Sequence, residues 1–78
     1  MISAKQAIAE LGGTHCYGCD GTKNKRMSHC RRCYFNLTRG MRARLYNLVG
    51  SGYEEAYEES VKILRARNHR PPRTYPAD

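Results

Sequence analysis

Seventy-eight residues leave room for one small domain, and a core of that size supplies only about 3–5 kcal/mol unaided. No apolar run approaches the length of a membrane span. Fourteen lysines and arginines against seven acids give a formal net charge of +7, which points to an anionic partner, with nucleic acid the first candidate.

The chain opens on SAKQAIAEL over residues 3–11. Ser3 with Gln6 fits a capping box, and Gly12-Gly13 supplies a stop. Ala4, Ala7, Ile8 and Leu11 form one apolar stripe, so a short helix is expected over 3–11. Lys5 offsets Glu10, and the segment reads as scaffold. Ser3, Lys5, Gln6 and Glu10 also interrupt Met1–Leu11 too often for a signal peptide, so a reducing, cytoplasmic setting is expected.

All four cysteines follow: Cys16, Cys19, Cys30 and Cys33, spaced C-x2-C-x10-C-x2-C. Each C-x2-C pair curls a knuckle that points two sulfurs at one centre, and the loop between brings the pairs together. The pattern predicts one structural zinc ion held by Cys16, Cys19, Cys30 and Cys33. Two disulfides would need an oxidising compartment, and a redox pair of the thioredoxin kind would need a βαβ surround that the pattern lacks. His15 and His29 directly precede the two pairs. Four thiolates already fill the tetrahedron, so both histidines are expected outside the ligand set, close behind it or at the surface. The closed shell leaves no position for activating water. Its formal charge of about −2 would be offset by Lys23, Lys25, Arg26, Arg31 and Arg32. Gly18 and Gly21 are expected to supply positive φ in the first knuckle. Thr22 to Ser28 has room for a β-hairpin with Asn24 near its tip, and Met27 could cover the metal.

Beyond Cys33, apolar residues Tyr34, Leu37, Met41, Leu45 and Leu48 recur at helical steps. Thr38 as N-cap and Gly50 as C-cap predict a helix over 38–49. Ser51 and Glu54 form a second capping box, opening a helix over 53–66. Tyr53, Ala56, Tyr57, Ser60, Val61 and Leu64 share its apolar face. The short link between the two helices makes an αα-hairpin. Residues 68–78 are rich in Pro and Arg, lack periodicity and read as a disordered basic tail. The expected fold is a small zinc-stabilised α+β domain over 1–67: a treble-clef-like zinc finger over 14–35, flanked by the short N-terminal helix and the αα-hairpin. Helix after the second knuckle, where a zinc ribbon would place a strand, favours the treble clef.

The charge is unevenly spread. Residues 16–33 carry five basic groups against Asp20, and residues 34–49 carry Arg39, Arg42 and Arg44 with no acid. Residues 50–64 carry four glutamates against Lys62. The polarity suggests a nucleic-acid face built from Lys23, Lys25, Arg26, Arg31, Arg32, Arg39 and Arg42, with DNA and RNA both open. Tyr17, Tyr34 and Phe35 could stack on unpaired bases or pack around the zinc helix. A solvated basic surface is the bland reading of the same charges. The competing function is a module that docks a host or phage protein through the helical hairpin, using Tyr46, Tyr53 and Tyr57. Catalysis is not expected. His29, Asn24, Asn68 and His69 lack the arrangement of a histidine–metal nuclease, and no triad, phosphate loop or carboxylate pair is present.

The segment from His29 to Ala66 resembles small zinc-finger proteins encoded by bacteriophages and prophages. Their pattern runs C-x2-C, an aromatic, Leu-Pro, Leu-Arg-x-x-hydrophobic, a Gly-containing turn, then a helix with Tyr or His near its start. Cys30, Cys33, Tyr34, Leu37, Met41, Arg42, Leu45, Gly50 and Tyr53 match it; Thr38 stands in place of the proline. The resemblance covers about half the chain and implies a zinc-bound accessory protein, with a regulatory role in a host cytoplasm as its extension.

Overall fold

A computed structural model describes residues 2–75; the last three residues of the expected tail, Pro76–Asp78, lie outside the described residues. The elements run α1 (Ala4–Leu11), β1 (His15–Cys16), β2 (Gly21–Thr22), α2 (Arg31–Phe35), α3 (Arg39–Arg44) and α4 (Tyr53–Arg67). Among the described residues the architecture is therefore a small α+β domain of four helices and one antiparallel two-stranded hairpin. Among those residues no helix is long and apolar enough to cross a membrane.

α1 forms where expected. The Ser3 hydroxyl accepts from the Gln6 N–H at 3.1 Å. The reciprocal half of the capping box is not made, because the Gln6 side chain donates to Glu10 instead. β1 and β2 pair in the register His15 with Thr22 and Cys16 with Gly21, so the hairpin brackets the first knuckle. It does not lie in the expected stretch 22–28, which holds only the last residue of β2. The left-handed backbone in this turn belongs to Asp20 (φ 59°), a residue type that tolerates it, and not to Gly18 or Gly21.

α2 begins at the second knuckle with Cys30 as its N-cap, a helix that the sequence pattern does not announce. α3 has its Thr38 cap, whose hydroxyl accepts from the Met41 N–H, but it stops at Arg44 instead of running to residue 49. The Tyr46 and Asn47 N–H groups bond three residues back, tightening the chain into turns. Gly50 (φ 87°) and Gly52 (φ 106°) then reverse its direction. Leu37, Met41 and Leu45 are buried, whereas Leu48, past the end of the helix, is 76% exposed. At the start of α4 the second capping box is absent: Gly52 is the N-cap, and Glu54 accepts from the Gly50 N–H.

α4 is the spine. The expected face of Tyr53, Ala56, Tyr57, Ser60, Val61 and Leu64 is buried, together with Arg65. α1 and α3 both pack on it. The segment after α4 is irregular yet held. Arg65 donates to the Pro71 carbonyl, and Arg73 forms a two-point pair with Glu10. Arg73 also lies over the rings of Tyr17 and Tyr75, at 3.7 and 4.4 Å from their centroids. Arg73 and Tyr75 are half-buried in this way, whereas Arg70, Pro71, Pro72 and Thr74 are exposed.

Glu10 is the hub of this closure, taking bonds from Arg73, Gln6 and Tyr57. Burial alone would raise its pKa. The three donors and the Arg73 charge outweigh that and hold it below the ordinary 4.5. A carboxylate depressed in this way stabilises the fold above its unfolded pKa, and that contribution is lost as pH falls through the folded value. Glu10→Gln would strand a guanidinium whose side chain is only 11% exposed. It should cost about 3 kcal/mol near pH 7. In urea denaturation the gap between wild type and variant should begin to close as the pH drops below about 4.5 and should be gone only below the depressed folded-state value, where the wild-type side chain is neutral too.

Candidate metal centre

Three elements bring the cysteines together. The β1–β2 ladder holds Cys16 inward at 0% exposure and turns Cys19 back toward it. Cys30 caps α2, and Cys33 lies in its first turn, at 1% exposure. The four sulfurs fall within 4.8 Å of one another. Cys19 and Cys30 Sγ stand 3.8 Å apart, the edge of a tetrahedron whose metal–sulfur bonds are about 2.3 Å. All four thiols are free. The donor set, its spacing and its enclosure therefore fit one metal ion held by Cys16, Cys19, Cys30 and Cys33.

The surroundings favour thiolates unequally. Burial pushes the Cys16 thiol up, against the Cys30 N–H that points at its sulfur from 3.3 Å. Burial and the neighbouring thiols push Cys33 up as well. Burial also acts to raise Cys19, but the Gly21 N–H and the adjacent thiols overcome it and hold that thiol below its ordinary value. The Asn68 amide lies 3.9 Å from Cys33 Sγ and also donates to the Gly18 carbonyl, tying the end of α4 to the first knuckle. Gly18 is needed here for space. A Cβ on it would sit 2.9 Å from Leu64 Cδ1 and 3.4 Å from Cys33 Sγ.

The two histidines part company. His15 is exposed and bonds Asp20 at 3.2 Å. His29 is buried at 1% exposure and stacked on Tyr57, yet it is not among the gathered donors. The Ser60 hydroxyl donates to the Tyr57 carbonyl, so its oxygen accepts from His29 Nε2–H at 2.7 Å, which fixes the tautomer. Burial, then the Lys23 charge, lowers the His29 pKa to about 4, so the ring is neutral. It is a packing element behind the second knuckle.

The expected basic contacts are sorted by burial. Lys23 is 4% exposed, and its ammonium donates to the carbonyls of Leu11, Gly13 and Asn24, closing the C-terminal end of α1. It is occupied inside the fold and does not belong to an external face. Lys25, Arg26, Arg31, Arg32 and Arg39 are exposed, and Arg42 is half-buried. The structure brings Arg31 and Arg42 together over the Phe35 ring, at 5.9 and 5.5 Å. Of the three aromatics expected near the knuckles, Tyr17 is covered by Arg73, Tyr34 is half-buried, and Phe35 is 60% exposed. Sequence reasoning misses Arg65, which braces the first knuckle through the Tyr17 carbonyl and Asp20. As a cation in the last turn of the helix it reads only as a complement to the helix dipole, although an asparagine at the end of that helix (Asn68) is a legible cap.

Comparison with protein-family models, curated proteins and solved structures finds no match to this chain.

Two glycines separate the packing requirement from backbone propensity. Gly18→Ala should lose roughly 1–3 kcal/mol by overpacking against Leu64, and should release metal to a chelator faster. Gly40→Ala, in α3 with no atom within 4 Å of the added carbon, should gain up to about 1 kcal/mol. Urea denaturation and a chromophoric chelator read both.

Proposed function

We propose that this chain is a zinc-stabilised module that binds nucleic acid and carries no catalysis. Zinc is the ion that suits four thiolates at tetrahedral spacing, held in a closed shell. A small core depends on such an ion for its folding free energy. The centre is a support, because four protein ligands leave no position for substrate or water.

The observation that carries the binding role is the division among the cations. Arg44 pairs with Glu59, Arg65 and Arg70 with Asp20, and Arg73 with Glu10. Among the described residues, Lys25, Arg26, Arg31, Arg32, Arg39 and Arg42 have no carboxylate partner and lie together in the loop, α2 and α3; Lys5 on α1 and Lys62 and Arg67 on α4 also lack one but stand elsewhere in the chain. The loop, α2 and α3 group is the set of expected contacts with Lys23 removed. Unpaired guanidiniums beside exposed aromatic surface suit a phosphate backbone. A regulatory role in a bacteriophage setting rests on the resemblance of the segment around Cys30–Tyr53 and on nothing else. A protein-docking role is the second reading. It keeps Tyr46 (80% exposed) but loses Tyr53 and Tyr57, which are buried; Leu48, not among the expected contacts, is exposed near Tyr46 in the chain.

Native mass spectrometry should find one zinc per chain, and the protein should be colourless. An iron-bearing, coloured protein would overturn the choice of metal. The zinc-loaded protein should bind labelled oligonucleotides with an affinity that falls steeply as salt rises. Joint Arg31→Ala, Arg32→Ala and Arg42→Ala changes should weaken binding at least tenfold. They should also flatten the salt slope by about 0.7–0.9 for each phosphate no longer neutralised. Lys23→Ala should lower stability and leave the salt slope of the folded fraction unchanged. Salt-independent capture of a protein partner with no oligonucleotide binding would favour the second reading.

A further inference from the structure

Phe35 closes α2 with its ring 60% exposed, while Cys33, two positions earlier, faces the metal cluster. Arg31 and Arg42 lie over that ring at 5.9 and 5.5 Å, and Tyr34 meets it edge-on with centroids 5.5 Å apart. A hollow of about 390 Å³ opens beside it, with Asn24, Met27, Arg31 and Tyr34 among its walls. On its other side Arg32 and Asn36 border a second hollow. None of Arg31, Arg32 and Arg42 meets a carboxylate among the described residues. α3, which follows, has only six residues. Of its arginines, Arg44 is taken by Glu59, Arg42 stands beside the Tyr34 and Phe35 rings, and Arg39 is exposed.

We infer that the ligand is single-stranded nucleic acid, with Phe35 the platform on which an unpaired base stacks and with Arg31, Arg32 and Arg42 beside it for the adjoining phosphates. The inference deepens the nucleic-acid reading above and rests on it. An exposed ring with guanidiniums 5.9 and 5.5 Å from its centroid suits strand binding, because every base has a π-face and the guanidiniums supply the charge. A paired base has its faces covered by its neighbours in the stack and cannot use the ring.

The chain contains no tryptophan, so Phe35→Trp places a single indole at the site. Its emission should be quenched when zinc-loaded protein meets a ~20-nucleotide oligothymidylate, a length that spans the site sizes of small strand-binding domains. A duplex of the same length should quench it far less. Phe35→Ala should weaken strand binding roughly 5- to 100-fold with the salt slope unchanged, because the change removes stacking and leaves the charge in place. Native mass spectrometry confirms that the variant keeps its metal; if it does not, the quenching decides alone. Equal binding of strand and duplex with an unquenched indole would overturn the platform and leave the broader reading standing. Binding to neither at low salt would overturn both.

Discussion

Four sulfurs held within 4.8 Å, two of them enclosed, cannot rest there comfortably on their own. As thiols they are weak hydrogen-bonding partners. As thiolates in a poorly solvated place they repel one another, which is why burial and proximity push Cys16 and Cys33 upward. A metal ion would resolve both conditions, and the neighbouring elements converge on that centre. The two-residue strands are too short to be stable alone. They persist because their ladder closes a knuckle. α2, at five residues, is likewise below the length at which a helix sustains itself, and it starts on a ligand.

Around that centre, closure is achieved by polar ties of long sequence separation. Glu10 meets Arg73 across 63 positions and Tyr57 across 47; Arg65 reaches the Tyr17 carbonyl across 48. Each buried charge is paired or carbonyl-bound, which is the condition for burying it at all. Their net worth over apolar side chains of similar shape is small, but removing one partner is costly. Such ties therefore specify one arrangement of the chain ends more than they add stability. In a domain whose apolar core is a single helix face against two short helices, that specification matters.

What depends on local pattern is plain in the sequence. The spacing of Cys16, Cys19, Cys30 and Cys33, the Ser3 and Thr38 caps and the buried face of α4 are all written at short range, and each is present. What stays hidden depends on distant partners. Lys23 reads as a loop cation until the end of α1 is seen to need a donor. Arg73 reads as tail until Glu10 is found beside it. The expected length of α3 overshoots because Leu48 falls in register by spacing alone; the helix ends at Arg44, and the tight turns through Tyr46 and Asn47 break the helical run before that residue can pack. Gly18 matters to the first knuckle, but its demand is room beside Leu64 and not positive φ.

Net charge alone is a poor guide to a binding face, and this chain illustrates why. Fourteen cations invite a basic surface in general. Once those that brace the fold are subtracted, six of the nine that remain lie in the loop, α2 and α3, with Lys5 on α1 and Lys62 and Arg67 on α4 apart from them. Folding has no evident use for the group in the loop, α2 and α3: no carboxylate among the described residues meets it, and clustering like charges around one ring costs stability. Phe35 compounds the cost by leaving apolar area in water. Cation–π contact with Phe35 and Tyr34 offsets part of that cost, and the charge that remains unpaired at this one location is what the proposed strand-binding face rests on.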